Sequence, residues 1–132
     1  MQSEVIVLAP GAGKELPGTS AVTLKLSGAH TEGRVAVFEA ADAREPGMHA
    51  HPGFDEMFYV LSGEYEFTIG ARAFRARAGS FLYVPRGTFH TFKDVGTTGK
   101  ILVICAPGAV EDYFEEAAGT PTRRRPGRTP TT

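Results

Sequence analysis

The 132-residue chain contains no tryptophan and one cysteine, Cys105. A lone cysteine excludes an intrachain disulfide, so packing and hydrogen bonding must hold the fold together. Cys105 sits in the apolar stretch Leu102-Val103-Ile104-Cys105, which reads as a buried, inert thiol and neither a nucleophile nor a metal ligand. Long hydrophobic runs are missing as well. No stretch approaches the ~20 consecutive apolar residues of a membrane-crossing helix, and Met1-Gln2-Ser3-Glu4 lacks the positive segment and apolar core of a secretory signal. These absences predict a cytoplasmic protein that does not enter a membrane. An excess of charge of either sign is absent too: 14 Lys and Arg against 15 Asp and Glu leave a formal net charge of −1. That balance argues against a broad basic face and a nucleic-acid partner.

What the chain does have is turn residues, with 16 Gly and 9 Pro separating short apolar runs. The runs fall at 5–8, 22–26, 35–38, 57–61, 65–69, 81–84, 88–92 and 101–106. Short strands at this spacing predict an all-β sandwich or barrel. Alternation is plainest between residues 64 and 78. There Tyr65, Phe67 and Ile69 alternate with Glu64, Glu66 and Thr68, Gly70-Ala71 turns the chain, and Phe74, Ala76 and Ala78 alternate with Arg75 and Arg77. This predicts a hairpin with one apolar face and Glu64 or Glu66 paired with Arg75 or Arg77 on its wet face. After Pro107-Gly108, residues 110–118 read as a short helix with acids near its start, Tyr113 and Phe114 to pin it, and Gly119 as its stop. Residues 119–132 offer only small or polar side chains and read as a disordered, solubilising tail that carries Arg123, Arg124, Arg125 and Arg128. The expected organisation is one domain over 1–118, followed by that tail.

Three of the four histidines lie in two short segments. His49 and His51 are two residues apart, so on a strand their side chains share one face and can hold one ion. Glu56 has the wrong parity for the same flat strand, but Pro52 and Gly53 intervene and can turn or bulge the chain before it. His90 follows the turn signal Val84-Pro85-Arg86-Gly87 and falls near the start of a later strand. Together these residues offer three imidazoles and one carboxylate, a set suited to a first-row transition metal. His30, in Ser27-Gly28-Ala29-His30-Thr31, reads as a loop residue without chemistry.

These segments resemble the two signature motifs of the cupins, small β-barrel proteins. The first motif, Gly-x5-His-x-His-x(3,4)-Glu-x6-Gly, is met by His49, His51, Glu56 and Gly63, with Ala43 at its opening glycine. The second, Gly-x5-Pro-x-Gly-x-x-His-x3-Asn, is met by Gly79, Pro85, Gly87 and His90, with Asp94 at its closing asparagine. The resemblance implies a double-stranded β-helix, or jelly-roll barrel. It also implies one divalent ion, Fe(II), Mn(II), Ni(II), Cu(II), Co(II) or Zn(II), on His49, His51, Glu56 and His90. Parity places Phe58 with Glu56 and Phe92 with His90; Phe38, Met48 and Tyr83 are further candidates for an apolar substrate pocket. The leading expectation is a dioxygenase-like enzyme acting on a small organic substrate that chelates the metal through oxygens. Glu56 is then both ligand and catalytic proton acceptor. Cupin isomerases, decarboxylases and lyases, and barrels that only bind a small ligand, are the alternatives. A homodimer is expected, with the run at 5–8 as a sheet edge to be covered or exchanged.

Overall fold

A computed structural model describes residues 4–18, 21–45 and 47–108. The helix expected at 110–118 and the tail at 119–132 lie outside the described residues. Among the described residues there are nine strands: β1 (Lys14–Leu16), β2 (Ala21–Leu26), β3 (Ala36–Ala41), β4 (Asp55–Ser62), β5 (Glu64–Ile69), β6 (Arg72–Arg77), β7 (Phe81–Val84), β8 (His90–Asp94) and β9 (Lys100–Ala106). They form two antiparallel sheets, one of six strands in the order β1-β2-β3-β9-β4-β7 and one of three in the order β6-β5-β8. This is the jelly-roll architecture the motifs implied. No helix among the described residues is long and apolar enough to cross a membrane.

Period-two alternation builds the core. On β4, Glu56, Phe58 and Val60 are buried while Tyr59 and Leu61 are exposed; on β9, Ile101, Val103 and Cys105 are buried. The three-stranded sheet contributes Tyr65, Phe67, Ala76 and Phe92 to the same cluster. Phe58 joins the layers, its ring centroid 5.1 Å from Phe67 and 5.2 Å from Phe92. The expected hairpin is β5–β6, with Glu64 opposite Arg77 and Glu66 opposite Arg75. Arg75 reaches Glu64 at 3.3 Å and Glu66 at 3.6 Å. Being exposed, such pairs contribute at most about 0.2–1 kcal/mol each.

Two expectations are corrected. Residues 5–8 form no strand, and Val5 and Val7 are 92% and 87% exposed. The first strand is β1, whose register against β2 supplies the ladder partners that the apolar run at 5–8 lacks. The strand predicted at 88–92 instead begins at His90, because Gly87 and Thr88 still belong to the preceding turn, where Thr88 N donates to Pro85 O at 3.2 Å.

Asp94, at the position where the second motif carries asparagine, closes the β8–β9 turn from within the core. Its two carboxylate oxygens accept hydrogen bonds from Gly96 N at 2.9 Å and Gly99 N at 2.7 Å. Tyr65 Oη donates to Gly99 O at 3.0 Å. A Cβ on Gly99 would lie 2.9 Å from both Asp94 oxygens, so glycine is required there. The two N–H groups go to different oxygens, and asparagine would replace one of those oxygens by an NH2 group, setting donor against donor. Asp94→Asn is therefore expected to lower stability by about 1–3 kcal/mol, read as a reduced urea midpoint; an unchanged midpoint would show that the second acceptor is dispensable.

Candidate metal centre

The antiparallel ladder brings the histidines together. His49 and His90 form an isolated bridge, exchanging backbone hydrogen bonds of 3.0 and 2.8 Å. The backbone at His51 is held by Gly87, whose N–H donates to His51 O at 2.9 Å. Glu56 enters from β4, opposite Cys105 of β9 and Val84 of β7. Beside it, Asp55 accepts three hydrogen bonds from Arg86, which tie the start of β4 to the turn leading to His90 and hold the Asp55 carboxyl below its ordinary pKa. The imidazole centroids of His49 lie 4.7 Å from His51 and 4.6 Å from His90, and each of the three rings offers a nitrogen within 4.8 Å of the others. His51, Glu56 and His90 are nearly inaccessible, while His49 is half-buried.

Backbone carbonyls orient two of the rings. His49 Nδ1 lies 3.0 Å from Gly47 O, and His90 Nδ1 lies 2.8 Å from Thr88 O. A carbonyl only accepts, so both Nδ1 atoms donate and both Nε2 atoms are turned to the cluster. Glu56 Oε1 is 2.9 Å from His90 Nε2 and 3.5 Å from His51 Nε2. Burial opposes charge on His90, but its hydrogen bond to Glu56 raises the pKa overall. Burial, reinforced by the neighbouring His49 and His90, drives His51 down to about 3 and keeps it neutral, the form that ligates metals.

A second carboxylate was not among the residues singled out from sequence. Glu45 Oε2 lies 3.1 Å from His49 Nε2, with the two side chains 16% and 15% exposed. Burial raises the Glu45 pKa against the opposing influence of His49. Burial likewise disfavours charge on His49, yet hydrogen bonding and attraction from Glu45 carry it to about 9. Parity was the available signal: residues 45, 49 and 51 are all odd. The bridges Arg44–Lys93 and His49–His90 show five residue steps on one strand against three on the other, and those two extra residues preserve the facing.

Of the expected pocket residues, Phe38, Phe58 and Phe92 are buried in the core, and Phe58 lies 6.3 Å from the His90 ring. Tyr83 is 54% exposed, because the inward position on β7 belongs to its neighbour Val84, opposite Glu56. Met48 is 44% exposed in the segment leading to His49. Phe54, not singled out from sequence, stacks on His51 at 4.5 Å. His30 stays apart in its loop, with Nδ1 3.1 Å from Ser27 Oγ. The donor set fits a divalent transition ion: imidazole nitrogens and carboxylate oxygens converge in a buried space, where burying them without a partner would cost several kcal/mol.

Residues 36–106, more than half of the chain, match the family described as Cupin domain. A 66-residue segment is 33% identical to an uncharacterised protein of Streptomyces coelicolor, covering 50% of this chain and 58% of that one. A 66-residue segment is 29% identical to quercetin 2,3-dioxygenase of Bacillus subtilis, covering 50% of this chain and 20% of that enzyme. The chain thus spans less than two thirds of either relative. Among solved structures, KdgF from a Halomonas species superposes with a TM-score of 0.61 at 16% identity, over 70% of this chain and 82% of that one. A family match over that span, on two sheets packed as a jelly roll, makes this chain a member of the cupin family.

Proposed function

We propose that this cupin is a metal-dependent, dioxygenase-like enzyme acting on a small organic substrate that binds through its oxygens. The observation that carries the reading is the convergence of His49, His51, His90 and Glu56 inside the barrel. The partial likeness to a quercetin 2,3-dioxygenase supports the same direction. The four side chains would hold one divalent ion of the Mn(II) to Zn(II) series. When bound, that ion supplies Lewis acidity and, if redox active, a route to O₂.

The chain's own residues set the conditions. Gly47 O and Thr88 O keep the His49 and His90 rings facing the cluster. Glu56 is the buried base positioned to accept a substrate hydroxyl proton. Phe38, Phe58 and Phe92 are proposed to line the pocket and exclude water. In such a reaction O₂ is the oxidant and both of its atoms end in the organic product. The test is O₂ uptake by Fe(II)-, Mn(II)- or Ni(II)-loaded protein with flavonols, catechols and 1,3-dicarbonyls, compared with Glu56→Gln. Uptake that falls at least about 100-fold in the variant supports the reading, as loss of a general base costs ~10²–10⁴. Turnover that persists without O₂ would instead establish a non-oxidative Lewis-acid enzyme, and binding without turnover a ligand-binding barrel.

Two copies are also proposed to pair through the outer face of β4 and β7. Tyr59, Leu61, Phe81 and Tyr83 are all exposed there, and β7 is one of the two end strands of its sheet among the described residues. Phe81→Arg is expected to convert a dimer to a monomer in sedimentation velocity; a wild-type monomer would refute the pairing.

A further inference from the structure

We propose that Glu45 is a fifth protein donor to this metal centre. The inference rests on the metal-binding reading above and adds a ligand to it. Three observations support it. First, Glu45 Oε2 and His49 Nε2 are 3.1 Å apart, close to the 2.9 Å between Glu56 Oε1 and His90 Nε2. Two donors each ~2.1 Å from a shared ion and at right angles are about 3.0 Å apart, so Glu45 stands to His49 as Glu56 stands to His90. Second, the other oxygen, Glu45 Oε1, is buried and has no hydrogen-bond partner among the described residues. A buried carboxylate oxygen without a donor is costly, and a cation satisfies it. Third, the backbone holds Glu45 in place: its N–H donates to Phe92 O at 2.9 Å, on the strand that also carries His90.

Charge agrees with the geometry. Two carboxylates neutralise a divalent ion in a site where His51 and Glu56 are almost completely buried, leaving three neutral imidazoles around it. The second hard oxygen shifts the donor set toward Mn(II) and Fe(II) and away from softer thiolate-preferring ions. Five protein donors leave an octahedral ion one exchangeable position in place of the two implied by the four motif ligands. A substrate that chelates through two oxygens would then have to displace one of the protein donors.

The experiment is water-proton relaxation of the Mn(II)-loaded full chain, which counts exchangeable water on the ion, together with Mn(II) affinity from the EPR signal of the free ion. Wild type is expected to show one exchangeable water; Glu45→Gln and Glu45→Ala are expected to show two and to bind Mn(II) at least about tenfold more weakly. A water count unchanged in both folded variants would overturn the proposal even if affinity falls, because Glu45 would then act only through its hydrogen bond to His49. Two waters on the wild-type ion would overturn it directly. Absence of Mn(II) binding by wild type would remove the metal-centre reading itself, an outcome distinguishable from failure of the fifth ligand.

Discussion

His90→Ala is expected to give a folded chain that no longer retains a stoichiometric metal ion. His90 is the residue through which the whole centre is assembled: it pairs with His49 along the backbone, its Nδ1 is held by Thr88 O, and its Nε2 meets Glu56 Oε1 at 2.9 Å. Removing a ligand should weaken binding by more than the ~10–100-fold typical of changes in the residues that orient ligands. The consequence extends to stability. An ion present at 1,000 times its Kd stabilises the native state by about 4 kcal/mol, and the variant forfeits that gain. It also removes the nearer of the two imidazoles beside Glu56 Oε1, with His51 Nε2 remaining at 3.5 Å, a further loss of ~1–3 kcal/mol. The measurement is metal content by mass spectrometry on protein purified without a nickel column, with melting recorded before and after chelator. His51→Ala should behave alike. Wild type near one ion per chain, with a chelator-sensitive melt that both variants lose, is the expected pattern. Unchanged metal content in both variants would place the ion elsewhere.

The second large effect is Phe58→Ala, expected to destabilise the fold by about 3–5 kcal/mol. Phe58 is fully buried on β4 and meets Phe67 and Phe92 of the opposing sheet. Truncation leaves a cavity at the joint between the sheets, where the surrounding strands are tied by their ladders and cannot close it. Against a typical stability of 5–15 kcal/mol, that is a large fraction. Because Phe58 also lies 6.3 Å from His90, the metal affinity of whatever remains folded should fall with it. Urea unfolding measures the first effect and Mn(II) titration the second. A loss below ~1 kcal/mol would mean that the two sheets are not joined at this ring.

Much of this was readable in the chain because the relevant physics is local. The β5–β6 hairpin follows from alternation and a Gly-containing turn, and its register places Glu66 opposite Arg75, one of the pairings that the pattern allowed. The facing of His49 and His51 follows from a two-residue spacing, and the burial of Cys105 from its apolar neighbours. Tyr83 shows where pattern runs out: the run at 81–84 is apolar at every position, so periodicity could not say that Val84 points inward and Tyr83 outward. The run at 5–8 shows a second limit, since an apolar tetrapeptide becomes a strand only if a partner edge is available.

Composition and strand period thus implied an all-β sandwich or barrel, histidine spacing put His49 and His51 on one face, and the resemblance of the two motifs implied the cupin fold. The pairing of distant segments added what spacing does not contain. It set His90 across from His49, turned both Nε2 atoms inward through carbonyls two residues upstream, and used two extra residues before His49 to bring Glu45 onto the cluster. Side-chain direction along a strand is a property of nearest neighbours, whereas which strands meet, and with what bulge between them, depends on closing the whole barrel around one core.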